Sequence, residues 1–335
     1  MRSTAFLLLM FLTAASASAQ WVRQTVNTTA DFRGLSVVNE KIVWASGTGG
    51  TVVRTVDGGK TWDVVTVPGA EKLDFRDIEA FDANTAYILS IGNSENSRIY
   101  KTIDGGATWK LQFTNKDEKA FYDAIACWDR RNCIAMSDPV NGRFPLIETK
   151  DGTNWSLMPH EQLPAAKEGE AAFAASGTCL IAFGRSTAFL VSGGTDAHIF
   201  RSDDRGKTWS VVDAPLTKGS ASAGVFSIAM RDRQIGVIVG GDYQNPDDAA
   251  NNVAFTADGG KTWTLGNGLK GYRSGVAFVE KDTYIAVGTN GVDISSDGGR
   301  KWQPMTKENL NAVQSKSPKA TWAAGPKGLV MKLLR

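Results

Sequence analysis

Thr55-Val-Asp57-Gly-Gly59-Lys-Thr61-Trp62 is followed along the chain by near copies of itself. They are Thr102-Ile-Asp104-Gly-Gly106-Ala-Thr108-Trp109, Ser202-Asp-Asp204-Arg-Gly206-Lys-Thr208-Trp209 and Thr256-Ala-Asp258-Gly-Gly260-Lys-Thr262-Trp263. Two altered copies are Thr149-Lys-Asp151-Gly-Thr153-Asn-Trp155, one residue short, and Ser295-Ser-Asp297-Gly-Gly299-Arg-Lys301-Trp302. The aspartates at 57, 104, 151, 204, 258 and 297 are separated by 47, 47, 53, 54 and 39 residues, about one four-stranded propeller blade per step. Each position has a mechanical role. The carboxylate accepts N–H bonds across its own turn, Gly supplies a positive φ, and Ser or Thr adds a side-chain bond. Trp then wedges apolar area between neighbouring blades. A turn staple explains every residue of the motif without a bound sugar.

Outward from the first copy, four strand-like runs can be read: Arg33–Val38, Ile42–Ser46, Thr51–Thr55 and Thr61–Val67. Comparable sets start near Arg76, Tyr122, Glu168, Phe226 and Arg273. A last partial set over 311–334 contains Thr321-Trp-Ala-Ala-Gly325, which matches Val43-Trp-Ala-Ser-Gly47, but it stops before any Asp motif. The missing outer strand is available at Trp21-Val-Arg-Gln-Thr25, which opens on Trp as the other outer strands do. Pairing the two ends would close the ring without a free sheet edge. The expectation is an all-β, seven-bladed propeller over residues 20–335, formed as one domain and monomeric.

Composition agrees with that reading. Thirty-five Gly and ten Trp suit many short strands joined by tight turns. A net charge of +2 without long one-sign runs predicts neither a nucleic-acid partner nor a membrane-surface stripe. Residues 1–19 read as a secretory signal: Arg2, an apolar run over Ala5–Ala15, and a small-residue site at Ala17-Ser18-Ala19. No later run is long enough for a transmembrane helix. The expected location is therefore periplasmic or extracellular. In an oxidising compartment Cys127 and Cys133 could join across a hairpin, or remain two half-buried thiols; Cys179 sits in an apolar run as a core thiol. No Gly-x-Gly-x-x-Gly, Cys-x-x-Cys or haem-attachment motif is present. With only His160 and His198 in the chain, neither cofactor, metal site nor histidine triad is expected, and both histidines are expected in surface or turn positions.

The repeats resemble the bacterial neuraminidase repeat, or Asp-box. The fuller pattern Phe32-Arg33-Gly34-Leu35, Trp44-Ala-Ser-Gly47, Gly49-Gly50-Thr51 and Asp57-Gly-Gly-Lys-Thr-Trp62 resembles the photosystem II stability/assembly factor-like proteins. That resemblance covers the whole chain after residue 19. It implies an exported seven-bladed propeller; photosynthetic members act as assembly chaperones for a membrane complex.

Strand order assigns the faces. In an up-and-down blade the innermost strand starts on the top face, the second-to-third loop returns there, and the Asp-boxes lie on the bottom. The top face should then carry Arg33, Arg76, Tyr122, Glu168 and Arg273, with Asp77 and Asp123 one place on. Asp138 and Arg143 come from one returning loop, Asp242 and Tyr243 from another. Arginines at a funnel mouth suit a carboxylate, phosphate or acidic peptide. The expectation is a non-enzymatic binding or assembly scaffold that takes a protein segment or small anionic ligand. The alternative is a sialidase-like or other retaining glycoside hydrolase. It would use three arginines, Tyr122 or Tyr243 with Glu168, and Asp138, although Gly34-Leu35 stands where a sialidase has Ile-Pro.

Overall fold

A computed structural model describes residues 20–334; the signal-like residues 1–19 lie outside them. The strands fall into seven sheets around one axis. The first blade runs Phe32–Val37, Val43–Gly47, Thr51–Thr55 and Asp63–Thr66, inner to outer. The others begin at Phe75–Ala80, Tyr122–Cys127, Leu180–Phe183, Ala223–Met230, Gly275–Glu280 and Ala312–Ser317. In the seventh blade, Gln20–Arg23 forms the outermost strand, antiparallel to Val330–Leu334, with Gln20 opposite Leu334 and Arg23 opposite Met331. The chain ends close the ring as the terminal sequences predict.

The core is distributed as wedges between blades. Phe32, Leu35 and Val53 of blade one pack with Trp322 and Val330 of blade seven. Trp44 and Val52 pack with Phe75 and Ile88 of blade two. The box tryptophans reach back to the preceding blade: Trp62 meets Trp322 edge-on at 5.9 Å, Trp109 meets Trp44 at 6.4 Å, and Trp155 meets Tyr87 at 6.0 Å. Such aromatic pairs each contribute about 0.5–1.5 kcal/mol beyond burial.

The turns below them are stapled as their residue types require. Thr55 Oγ1 donates to Asp57 and accepts the Gly59 N–H, while Asp57 accepts the Thr61 N–H and hydroxyl. Asp104, Asp204 and Asp258 repeat this set. In the short copy the Asn154 amide donates to Asp151 in place of the threonine hydroxyl. At Asp297, Lys301 offers only its backbone N–H.

Blade four departs from the sequence expectation. Its innermost strand is Leu180–Phe183 and does not open at Glu168. The stretch from 168 cannot run straight into the blade because Gly169 turns the chain at φ 74°. Glu170–Ala171 pairs with Gly193–Gly194, which in turn joins blade five at Gly224. The following residues, 172–178, cross the mouth of the central channel as a strap.

Candidate functional site

Four of the seven inner strands carry a register shift near their top ends, between Phe32 and Gly34, Phe75 and Asp77, Tyr122 and Ala124, and Val225 and Ser227. The residues skipped by the ladder are Arg33, Arg76, Asp123 and Phe226. A bulged residue leaves the alternation of its strand and is re-aimed. All four line one cavity at the top of the channel, of about 330 Å³. The strap residues Ala172–Ala175 form one of its walls, and Asp138, Tyr243 and Tyr272 complete much of the rest.

The strap is held from five blades. Asp138 accepts the Ala172 N–H at 2.8 Å. Arg76 donates to Ala174 O at 3.3 Å and Arg33 to Ala175 O at 3.2 Å. Ser176 donates to Ser274 O, and the Thr178 and Ser227 hydroxyls share a bond. Phe173 stacks on Phe226 with centroids 3.8 Å apart and planes 9° from parallel. Tyr243 and Tyr272 meet Phe226 edge-on at 6.2 and 4.7 Å. One side of the cavity is thus aromatic and the other cationic.

The two arginines differ in how they are balanced. Arg76 is paired with Asp74 at 2.8 Å. Among the described residues Arg33 has no carboxylate within ion-pair distance, and Ala175 O is its one hydrogen-bond acceptor. Burial, and after it the neighbouring Arg76 guanidinium, lower the Arg33 pKa from its ordinary value; an arginine still stays charged. Across the cavity, burial raises Asp138 to about 6 and, with the Asp138 charge beside it, pushes Asp123 well above the carboxylate range. Asp123 Oδ2 is buried without a hydrogen-bond partner.

The remaining sequence candidates lie elsewhere. Arg273 is buried, bonded to Asp293, Asn290 and the Tyr272 carbonyl. It precedes its strand and no bulge turns it inward. Tyr122 is buried against Phe113 in a separate groove. Its neighbour Asp123 holds the position equivalent to Arg33. Arg143 donates to Leu163 O. Asp242 caps its own loop by accepting from Gln244 and Asn245. Glu168 is exposed in the run before the strap. The constellation a sialidase needs is therefore not assembled, since Glu168 and Arg273 stand outside the cavity of Arg33 and Arg76.

Sequence reasoning passed over Phe173 and Tyr272. The bulge pattern, an aromatic or apolar residue followed by the displaced one, is the signal that separates Asp123 from Tyr122. Cys127 and Cys133 face each other across the first two strands of blade three and are bonded. His160 is exposed in a short 3-10 turn. His198 departs from the surface position expected of it: it is buried, with Nδ1 2.8 Å from Glu170 Oε1. Asp196, His198 and Asp213 bring one ligand atom each within 4.8 Å of one another. Lys167 and Lys218 both already pair with Asp196. The cluster is thus an ion network that ties the stretch leading into the strap to blade four.

A family model described as BNR/Asp-box repeat matches residues 200–211, the box around Asp204. No curated protein matches the chain. Among solved structures, one described as YCF48 bound to D1 peptide superposes with a TM-score of 0.67 at 17% identity, covering 95% of this chain and 97% of that one. YCF48 from Cyanidioschyzon merolae gives 0.66 at 15% identity, covering 93% and 98%. The WD40 propeller domain of Doa1 gives 0.65 at 13% identity, covering 95% and 98%. At these identities the likeness is one of fold. By its turns and its fold, the chain is a seven-bladed β-propeller that carries Asp-box turns and is similar in architecture to YCF48.

Proposed function

We propose that the protein is a non-enzymatic binding or assembly scaffold acting outside the cytoplasm, whose top-face cavity takes an anionic side chain of a protein segment. One observation carries the reading: Arg33 and Arg76 line a single cavity with most of their N–H donors unspent on the protein, and Arg33 lacks a carboxylate among the described residues. Two adjacent guanidiniums in a partly dry site favour an anion between them. The Phe173–Phe226 stack offers an apolar surface beside that charge. The peptide held by YCF48 and the leader-like residues 1–19 point the same way. A hydrolase is disfavoured by the positions of Glu168 and Arg273.

The test is calorimetric titration with acetyl-Phe-Glu-Phe-amide and its Gln analogue. The acidic peptide should bind and the neutral one should bind at least about tenfold more weakly, since a charge-assisted hydrogen bond contributes ~1.5–3 kcal/mol. Arg33→Ala with Arg76→Ala should remove that preference while leaving the chain folded, with Tm lowered only by the loss of the two strap bonds and the Asp74 pair. Equal affinity for both peptides, or parallel loss of folding and binding in the variant, counts against the proposal. Release of product from a panel of aryl glycosides and sialosides would overturn its non-enzymatic part.

A further inference from the structure

The cavity that holds Arg33 and Arg76 also holds two carboxyl groups, Asp123 and Asp138, and the charge of Asp138 bears on Asp123. Asp123 reaches it from an inner-strand bulge and Asp138 from the returning loop of the same blade. Asp123 is 1% exposed. Asp138 spends one oxygen on the Ala172 N–H of the strap, whereas Asp123 Oδ2 is buried and bonded to nothing among the described residues. An orphaned carboxyl oxygen in a cavity built around two arginines needs either a proton or a donor from a ligand.

We propose that Asp123 and Asp138 form a proton-sharing pair that makes capture of a carboxylate by Arg33 and Arg76 depend on uptake of a proton. This rests on the anion-binding reading of the same cavity. Two like charges in one part-buried site do not both ionise readily, so the pair keeps a proton well into the range where isolated carboxylates have lost theirs. Burial pushes both groups upward, Asp138 to about 6, and the Asp138 charge adds to the push on Asp123. With one proton on the pair, its remaining negative charge together with Asp74 balances Arg33 and Arg76. An arriving carboxylate would then add an uncompensated charge. With the second proton taken from solvent the cavity is net positive, and Asp123 can present an O–H to the incoming oxygen.

The other groups facing the pair do not offset this. The Asp138 N–H, Arg76 and the Ala174 N–H favour the ionised form of Asp123, but burial outweighs them, and Arg76 is shared with Asp74. Tyr272 is driven further from ionisation by its burial, and the Cys179 thiol beneath the pair is likewise pushed up by burial and by Asp123. Asp77, also below, is raised to about 7 and adds to the proton-retaining surroundings. Tyr243 stands at the rim, about half exposed.

The experiment titrates acetyl-Phe-Glu-Phe-amide into the intact chain between pH 5.5 and 8, where the peptide carboxylate stays ionised. Affinity should fall about tenfold or more across that range, with close to one proton taken up per peptide bound near neutral pH, as read from the dependence of binding heat on buffer ionisation. Asp138→Asn keeps an acceptor for the Ala172 N–H and should flatten the dependence to within about twofold. As a ligand-free check, the side-chain 13C carboxyl resonances of Asp123 and Asp138 should titrate together within or above this range, and this holds even if the variant folds poorly. Binding that is independent of pH yet abolished by Arg33→Ala with Arg76→Ala would overturn the proton linkage and leave the binding function standing. No binding at any pH would overturn both. Carboxyl resonances that complete their titration below pH 5 would overturn the linkage alone.

Discussion

Asp77 lies in the wall of the central channel, 5% exposed, its two carboxyl oxygens accepting the N–H groups of Ile78 and Ile125. Those bonds favour the anion, but burial outweighs them and holds the group at about 7 against an ordinary 3.8. Between those values the folded chain keeps a proton that the unfolded chain has released. Rising pH therefore favours unfolding from about 4 to about 7 and has no further effect once both states are ionised. The displacement corresponds to about 4 kcal/mol, undiminished by solvent screening because the group is buried. With an unfolding entropy of ~0.7 kcal/mol/K for a chain of this length, wild type should lose about 6 °C of Tm between pH 4 and 7.5 on this account. Asp77→Asn should show a constant cost, because its amide turns one donor toward an N–H, but little of the slope. Asp123 and Asp138 work in the same direction. The box aspartates act oppositely: Asp104 and Asp258 are held to about 2 by the hydrogen bonds of their turns, and their contribution is lost only as pH falls toward that value. The assay is differential scanning calorimetry of both proteins over pH 4–8. A wild-type slope that Asp77→Asn reproduces unchanged would refute the assignment.

Two further outcomes follow from the ring and the strap. Trp21 is half-buried against Met331 and Leu333 at the closing strand, so Trp21→Ala should cost about 2 kcal/mol, below the roughly 3–5 of a fully buried Trp; an unchanged urea midpoint would show that the closing strand adds nothing. Gly177 has φ 76°, and a Cβ there would sit 2.1 Å from Asp77 Oδ1. Gly177→Ala should thus destabilise by at least about 1–3 kcal/mol and disturb peptide binding through the strap, and a variant with wild-type stability and affinity would show that the strap is not held as described.

The architecture was legible because its determinants are local and repeated: each box states its own turn, and the unmatched Trp21 segment supplies what 311–334 lacks. The site was legible only in part. Arg33 and Arg76 could be placed because Phe32 and Phe75 mark the same step of two blades. Asp123 was displaced by one position because a bulge is a property of pairing and leaves no change in polarity pattern. Arg273 occupies a similar place in sequence, but without the bulge it turns to Asp293. The strap escaped notice because its bonds run to blades one, two, three, five and six, distant in sequence, and Glu168 looked like the start of a strand that Gly169 prevents. His198 was similarly opaque, since its partner Glu170 belongs to that irregular stretch.

The pairing of Gln20–Arg23 with Val330–Leu334 has a consequence for how the molecule is made. Six blades can form as soon as their own residues are available, but the seventh needs strands separated by nearly the whole chain, so its loop-closure entropy falls on the last step of assembly. Because Gln20 and Leu334 already lie side by side, joining them and reopening the backbone at an exposed inter-blade turn such as Gly69 would turn that long-range seam into an ordinary hairpin. Such a permuted chain should reach the same ring faster, its top-face cavity undisturbed.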